Sequence, residues 1–161
     1  MQNKFLFFYS GIFSNFYPAP FISAGQRFAT SEQYFMSMKA ATFMDPVATK
    51  AIMATDDPMK AKMAGRKVIG YDEEKWAAIR YSCMMAAVLQ KFSQNPDLKR
   101  QLIATAGKEL VEASPTDRVW GIGLSETDPR RFDRNKWRGQ NLLGKVLMEL
   151  RDHFLQKEVG E

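Results

Sequence analysis

The 161-residue sequence predicts a helix-rich α+β fold, one domain with a few short strands. Three observations lead there. Hydrophobic residues make up 45% of the chain and charged ones 25%, an ordinary globular balance at a length that buries one core. Helix-start signals recur at Thr30, Asp45-Pro46, Asp57-Pro58, Asp72 and Asn95-Pro96. Strand-like runs are confined to the N-terminal part and to Leu110-Val111. No repeat, low-complexity tract or Gly/Ser linker divides the chain, so residues 1–161 are expected to form a single domain.

Residues 4–9 read as a strand, and 11–20 as a turn-rich aromatic segment. Phe21-Ile22 and Arg27-Phe28 flank Ala24-Gly25, which suits a short hairpin. Thr30-Ser31-Glu32-Gln33 has the form of a capping box, opening a helix from 31 to about 43. Pro46 at a first helical position opens a second helix, and Asp57-Pro58 a third that ends at Gly65 or soon after. Asp72 opens the clearest helix, with Trp76, Ile79, Cys83 and Ala87 on one stripe, and it should end near Phe92. A short helix over 96–106, a short strand at Leu110-Val111 and a loop over 114–137 follow. The last helix, about 140–157, carries Leu142, Leu143, Val146, Leu147, Leu150 and Phe154.

Composition narrows the chemistry. Cys83 and His153 are the only residues of their types, which excludes an intrachain disulfide, a multi-cysteine metal site and any triad or zinc centre needing several histidines. An all-carboxylate Mg²⁺ site is left open, but no clustered aspartates support one, and no metal is implied. Apolar stretches fall short of the roughly 20 residues that span a bilayer, and no secretory leader pattern is present. The reading is a soluble cytoplasmic protein with no membrane partner. Net charge is +5 and the pI about 9.3, which suits an anionic partner without requiring one. Carboxylates, lysine, hydroxyls and aromatics remain to carry a reaction.

Three constellations contain such groups. Glu32 and Lys39 are seven positions apart, about 700° of helical rotation, so they project from nearly one face roughly 10 Å apart along the axis. Phe35 and Met36 lie between them as an apolar floor that suits a sugar ring. The same spacing fits an acid that favours a helix N-terminus and a solvated lysine. In the second constellation, Asp117, Trp120, Gly121 and Gly123 share a loop that suits either close approach of a flat ligand or a tight turn anchored by Trp120. The third, from Arg130 to Arg138, holds five basic residues and one acid with aromatics between them, followed by Gly139-Gln140-Asn141. It reads as a phosphate-contacting or solvated loop leading to a helix N-terminus that could bind an anion. Met36, Met38, Met84, Met85 and Cys83 are expected to fill the core.

Taken in order, these segments resemble the NADAR, or YbiA-like, family. The resemblance runs through Phe13-Ser14-Asn15-Phe16, Thr30-Ser31-Glu32-Gln33-Tyr34-Phe35, Lys39-Ala40, Gly65-Arg66, Trp76 with Arg80 and Met84, and Lys91-Phe92. It continues through Leu110-Val111-Glu112-Ala113-Ser114, Asp117, Trp120-Gly121-Ile122-Gly123 and Gly139-Gln140-Asn141-Leu142-Leu143-Gly144. It implies an N-glycosidase that hydrolyses ribosylated compounds, either riboflavin-pathway ribosylaminopyrimidine phosphates or ADP-ribosylated guanine. Glu32 would then be a catalytic carboxylate, Lys39 the catalytic amine and Asp117 a third catalytic group. Trp120, Asn15, Arg66, Gly121, Gly123 and Asn141 would contact substrate. No cofactor is implied, NAD being at most a ligand, and the partner would be a phosphorylated ribosyl metabolite or ADP-ribose-modified nucleic acid. A module that binds NAD or ADP-ribose without turnover is the alternative, and a basic nucleic-acid binder the third reading.

Overall fold

A computed structural model describes residues 4–160. Its described elements group into two compact units, one formed by residues 15–96 and the other by 4–14 together with 97–160.

The 15–96 unit opens with a hairpin, strands β2 (Phe21–Ser23) and β3 (Gln26–Phe28), pairing Phe21 with Phe28 and turning through Ala24 and Gly25, both at positive φ. Four helices follow: α1 (Ser31–Thr42), α2 (Pro46–Met53), α3 (Pro58–Arg66) and α4 (Glu73–Gln94). Each start has a chemical cause. Thr30, Asp45, Asp57 and Asp72 accept hydrogen bonds from backbone N–H groups in the first turns, and Pro46 and Pro58 occupy first positions whose N–H needs no helical partner. The capping box closes one residue early. Gln33 N–H donates to Thr30 Oγ1, but Gln33 Oε1 accepts from Ala29, and its amide nitrogen donates to the carbonyls of Ile52 and Thr55. Gln33 thereby ties the start of α1 to the end of α2.

Phe35, Trp76, Met84, Ala87, Val88 and Phe92 are buried in this unit, with the Phe35 and Trp76 rings 5.2 Å apart. Cys83 is buried too, as are Met36 and Met84, whereas Ile79 on the expected stripe of α4 is 37% exposed and leaves the core there. The reason is position: Ile79 lies in the first half of α4, where the neighbouring Ala77 and Ala78 also face solvent. Gly65 sets the approach of α3 to α1, because a Cβ there would lie 2.1 Å from Met36 Sδ.

In the other unit, β1 (Phe5–Phe8) pairs in parallel with β4 (Glu109–Glu112), Phe5 opposite Glu109 and Phe8 opposite Glu112. Val111, Ile122 and Leu124 form one buried cluster in it, packed by Phe5, Phe7 and Trp137, and Leu143, Val146, Leu147 and Leu150 of the last helix are buried as well. Helix α5 (Pro96–Ile103) is shorter than the sequence pattern suggests, and α6 (Leu142–Val159) starts two residues later than expected. Residues 114–137 are irregular apart from two short 3₁₀ turns at Pro129–Phe132 and Arg134–Lys136. No described helix is long and apolar enough to cross a membrane.

Candidate active site

Helix α1 carries Glu32 in its first turn and Lys39 in its last, with buried Phe35 and Met36 between them. Glu32 is only 7% exposed, so the solvated-surface reading of this pair does not hold for the acid. The segment before the helix fixes where that acid stands. Asn15 is buried, its carbonyl accepts the Glu32 N–H at 3.1 Å, and its Oδ1 accepts Ser31 Oγ at 2.9 Å. Asn15 Nδ2 donates to Met84 Sδ at 3.3 Å. Both ends of the Asn15 amide are therefore engaged inside the fold, and the residue positions Glu32.

Lys39 is half-buried, and its amine lies 4.7 Å from the centre of the Tyr71 ring. Loss of water lowers its pKa from the usual lysine value, and the Arg66 guanidinium lowers it further, while Glu32 and Glu73 oppose both. Arg66 itself is exposed at the end of α3, brought towards α1 by the close approach at Gly65. Tyr71 donates its hydroxyl to Glu73, and Glu73 also accepts from Arg80 Nη1 at 3.1 Å. Burial first, then the Glu73 carboxylate, pushes the Tyr71 phenol up to about 12. The sequence reading did not bring Tyr71 or Glu73 to Lys39, because that meeting depends on the turn between α3 and α4.

The other unit holds the remaining expected residues. Asp117 is half-buried, and its Oδ1 accepts the N–H groups of Val119 at 2.9 Å and Trp120 at 2.8 Å, while its own N–H donates to Ser114 Oγ. The loop it folds delivers four carbonyls to the start of α6. Arg118, Gly121, Val119 and Trp120 accept from the N–H groups of Gln140, Asn141, Leu142 and Leu143 respectively. The expected anion site at this helix N-terminus is thus not formed: the donors such a site needs are engaged by the chain itself.

Gly121 and Gly123 serve the same tight packing. A Cβ at Gly121 would sit 3.0 Å from the Asp117 and Glu112 carbonyls, and Gly123 has φ +69°. Asn141 adopts a left-handed conformation and is 1% exposed; its Oδ1 accepts the Glu112 N–H and its Nδ2 donates to the Leu110 carbonyl. Its amide holds β4. Trp120 is half-buried, its carbonyl capping α6. Removing the carboxylate that organises this loop should loosen it: Asp117→Ala is expected to lower stability by roughly 1–2 kcal/mol, read from urea unfolding midpoints at constant slope.

The basic segment is less available than its sequence suggests. Arg130 pairs with Asp128 and Arg134 with Glu109, and the Arg131 guanidinium lies 4.1 Å from the Phe132 ring centre and 5.2 Å from that of Phe7. Those three arginines brace the loop, which removes much of the motive for a nucleic-acid interface there.

A model of the NADAR domain matches residues 7–155. The chain belongs to the NADAR family. Among NADAR relatives, the N-glycosidase R617 of Acanthamoeba polyphaga mimivirus is 39% identical, the alignment covering 96% of this chain and 98% of that protein. The N-glycosidase YbiA of Escherichia coli strain K12 is 34% identical over 96% of this chain and 91% of its own length. Protein irg-1 of Caenorhabditis elegans is 39% identical, with 96% and 81% covered. The NMR structure of E. coli YbiA matches with a TM-score of 0.82 at 32% identity, covering all of this chain and 90% of that one, and so supports the NADAR α+β fold.

Proposed function

We propose that this protein is an N-glycosidase acting on a ribosylated substrate, either a ribosylaminopyrimidine phosphate or ADP-ribosylated guanine. The observation that carries this reading is the pairing on one helix of a buried acid, Glu32, with a desolvated amine, Lys39, whose pKa burial and Arg66 lower. The names of the mimivirus and bacterial relatives support the reaction class.

Cleavage needs a proton for the leaving nitrogen and an electron pair for the anomeric carbon. An N-glycoside of an exocyclic amine opens to an imine at that carbon. In the proposed route the neutral Lys39 amine adds there, forming a new C–N bond. Glu32 delivers a proton to the departing amine, which leaves with the electrons of the old C–N bond, and Lys39 is held as a Schiff base. Water then adds to the Schiff base, the C–Nζ bond breaks, the proton released returns to Glu32, and the free sugar and neutral Lys39 are returned. The lowered pKa matters because only the unprotonated amine carries the lone pair that attacks.

The test offers both substrate types to the purified protein and detects released base and sugar by mass. Release from one of them, reduced about 10²–10⁴-fold by Glu32→Gln, is the expected result. Tight binding of ADP-ribose with no release from either substrate would replace this reading with that of a binding module.

A further inference from the structure

Helices α2 and α3 and the turn after them form a cleft of about 410 Å³, on residues the proposed reaction does not use. Its walls are apolar and open to solvent: Val47 is 77% exposed, Ile69 78%, Met59 51% and Met63 43%, with Ala48, Ala51 and Ala64 between them. Grouped exposed apolar side chains of this kind, rimmed by polar ones, mark interaction sites rather than ordinary surface. The cleft is held in shape by one side chain. Asp45 Oδ1 accepts the Ala48 N–H at 2.9 Å and Oδ2 accepts the Ile69 N–H at 2.8 Å, fixing the α2 start to the turn beyond α3.

The rim is basic. Lys60 and Lys67 line the cleft, and no acid occurs between Pro58 and Tyr71. One acid, Asp45, also lines the cleft, its carboxylate occupied by the Ala48 and Ile69 N–H groups; Asp57 caps α3, and Asp56 pairs with Arg27 at 3.6 Å. Among the described residues, no ion pair engages Lys60 or Lys67. The 8-residue α2 and 9-residue α3 give walls about 12–14 Å long, matching two to three turns of a third helix. Methionine walls adapt to varied apolar side chains.

We propose that this cleft docks an acidic amphipathic helix of a partner protein, with its apolar i, i+3/i+4, i+7 stripe against Val47, Met59, Met63 and Ile69 and its carboxylates towards Lys60 and Lys67. Charge complementarity selects this occupant, since a neutral or basic helix would leave the lysine rim unanswered.

The probe is a fluorescent 14-residue peptide, leucine on that stripe and glutamate elsewhere, with a lysine-for-glutamate version and a scrambled version as controls. Saturable anisotropy binding is expected for the acidic peptide, tightening as salt falls from about 0.3 M to about 0.05 M. Val47→Asp and Ile69→Asp, both at highly exposed positions, should weaken it about tenfold or more. Lys60→Glu with Lys67→Glu should weaken the acidic peptide and improve the basic one, with glycosidase turnover unchanged. Equal binding of the scrambled peptide, or binding that survives these substitutions, overturns the proposal. So does self-association lost in Val47→Asp, which assigns the cleft to a second copy, or a preference for anionic lipid vesicles over the acidic peptide, which assigns it to a membrane surface.

Discussion

Lys39→Ala is expected to lower turnover by more than roughly a thousand-fold on whichever substrate the wild-type protein cleaves, with little change in unfolding midpoint. The stability half follows from position: Lys39 lies in the last turn of α1, half-buried, and fills no core space that alanine would leave empty. The activity half follows from the amine being the electron-pair donor. Borohydride added during turnover should reduce the Schiff base and leave a sugar-mass adduct on Lys39 of the wild-type protein and none on the variant. The pH profile of trapping should rise with an apparent pKa below 10.5, the direction set first by burial and then by Arg66, and Arg66→Ala should move that limb upward. Near wild-type turnover by Lys39→Ala would exclude the covalent route and leave direct attack by water.

The second large effect concerns Lys91, which has no part in the proposed reaction. It is fully buried in α4, with its amine 5.1 Å from the Phe92 ring centre and 5.9 Å from that of Tyr17, and burial pulls its pKa down to about 7. In the unfolded chain this lysine titrates near its ordinary 10.5. Between about 7 and 10.5 the unfolded state therefore holds the extra proton, and this group's contribution to stability rises with pH across that window. Below the folded value both states are protonated and the cost of burying the charge is complete; above 10.5 it disappears. Lys91→Met lacks this titration. Measured by urea unfolding near pH 7 and near pH 10, stability should shift towards wild type by a few kcal/mol as pH rises. A constant difference between the two proteins would show that Lys91 keeps an ordinary pKa.

Helix starts were legible in the sequence because their causes are local: Thr30, Asp45, Asp57 and Asp72 each bond to backbone within three residues. The Glu32–Lys39 pair was legible from helical spacing and the family resemblance together. What surrounds it was not. The burial of Glu32 and the meeting of Lys39 with Tyr71 and Arg66 come from packing between helices, which no single segment encodes. Lys91 did leave a signal, since it continues the three-and-four spacing of Met84, Ala87 and Val88 on the buried stripe of α4. The start of α6 was misread for the opposite reason. Its N–H groups look available in the local sequence, and the carbonyls that take them lie about twenty residues upstream, from Arg118 to Gly121.

The parallel pairing of β1 with β4 has a consequence for how the chain acquires its structure. Phe5 meets Glu109, so about a hundred residues must leave the ribosome before the first strand has a partner. Residues 15–96 form a contiguous unit in which α1 packs against α2, α3 and α4, and can begin folding during that interval. The remaining unit must join its two chain ends across that long loop, a closure with a substantial entropic cost. The aromatic-rich strand Phe5–Phe8 therefore waits without its β4 partner during synthesis, an early exposure that favours aggregation over folding.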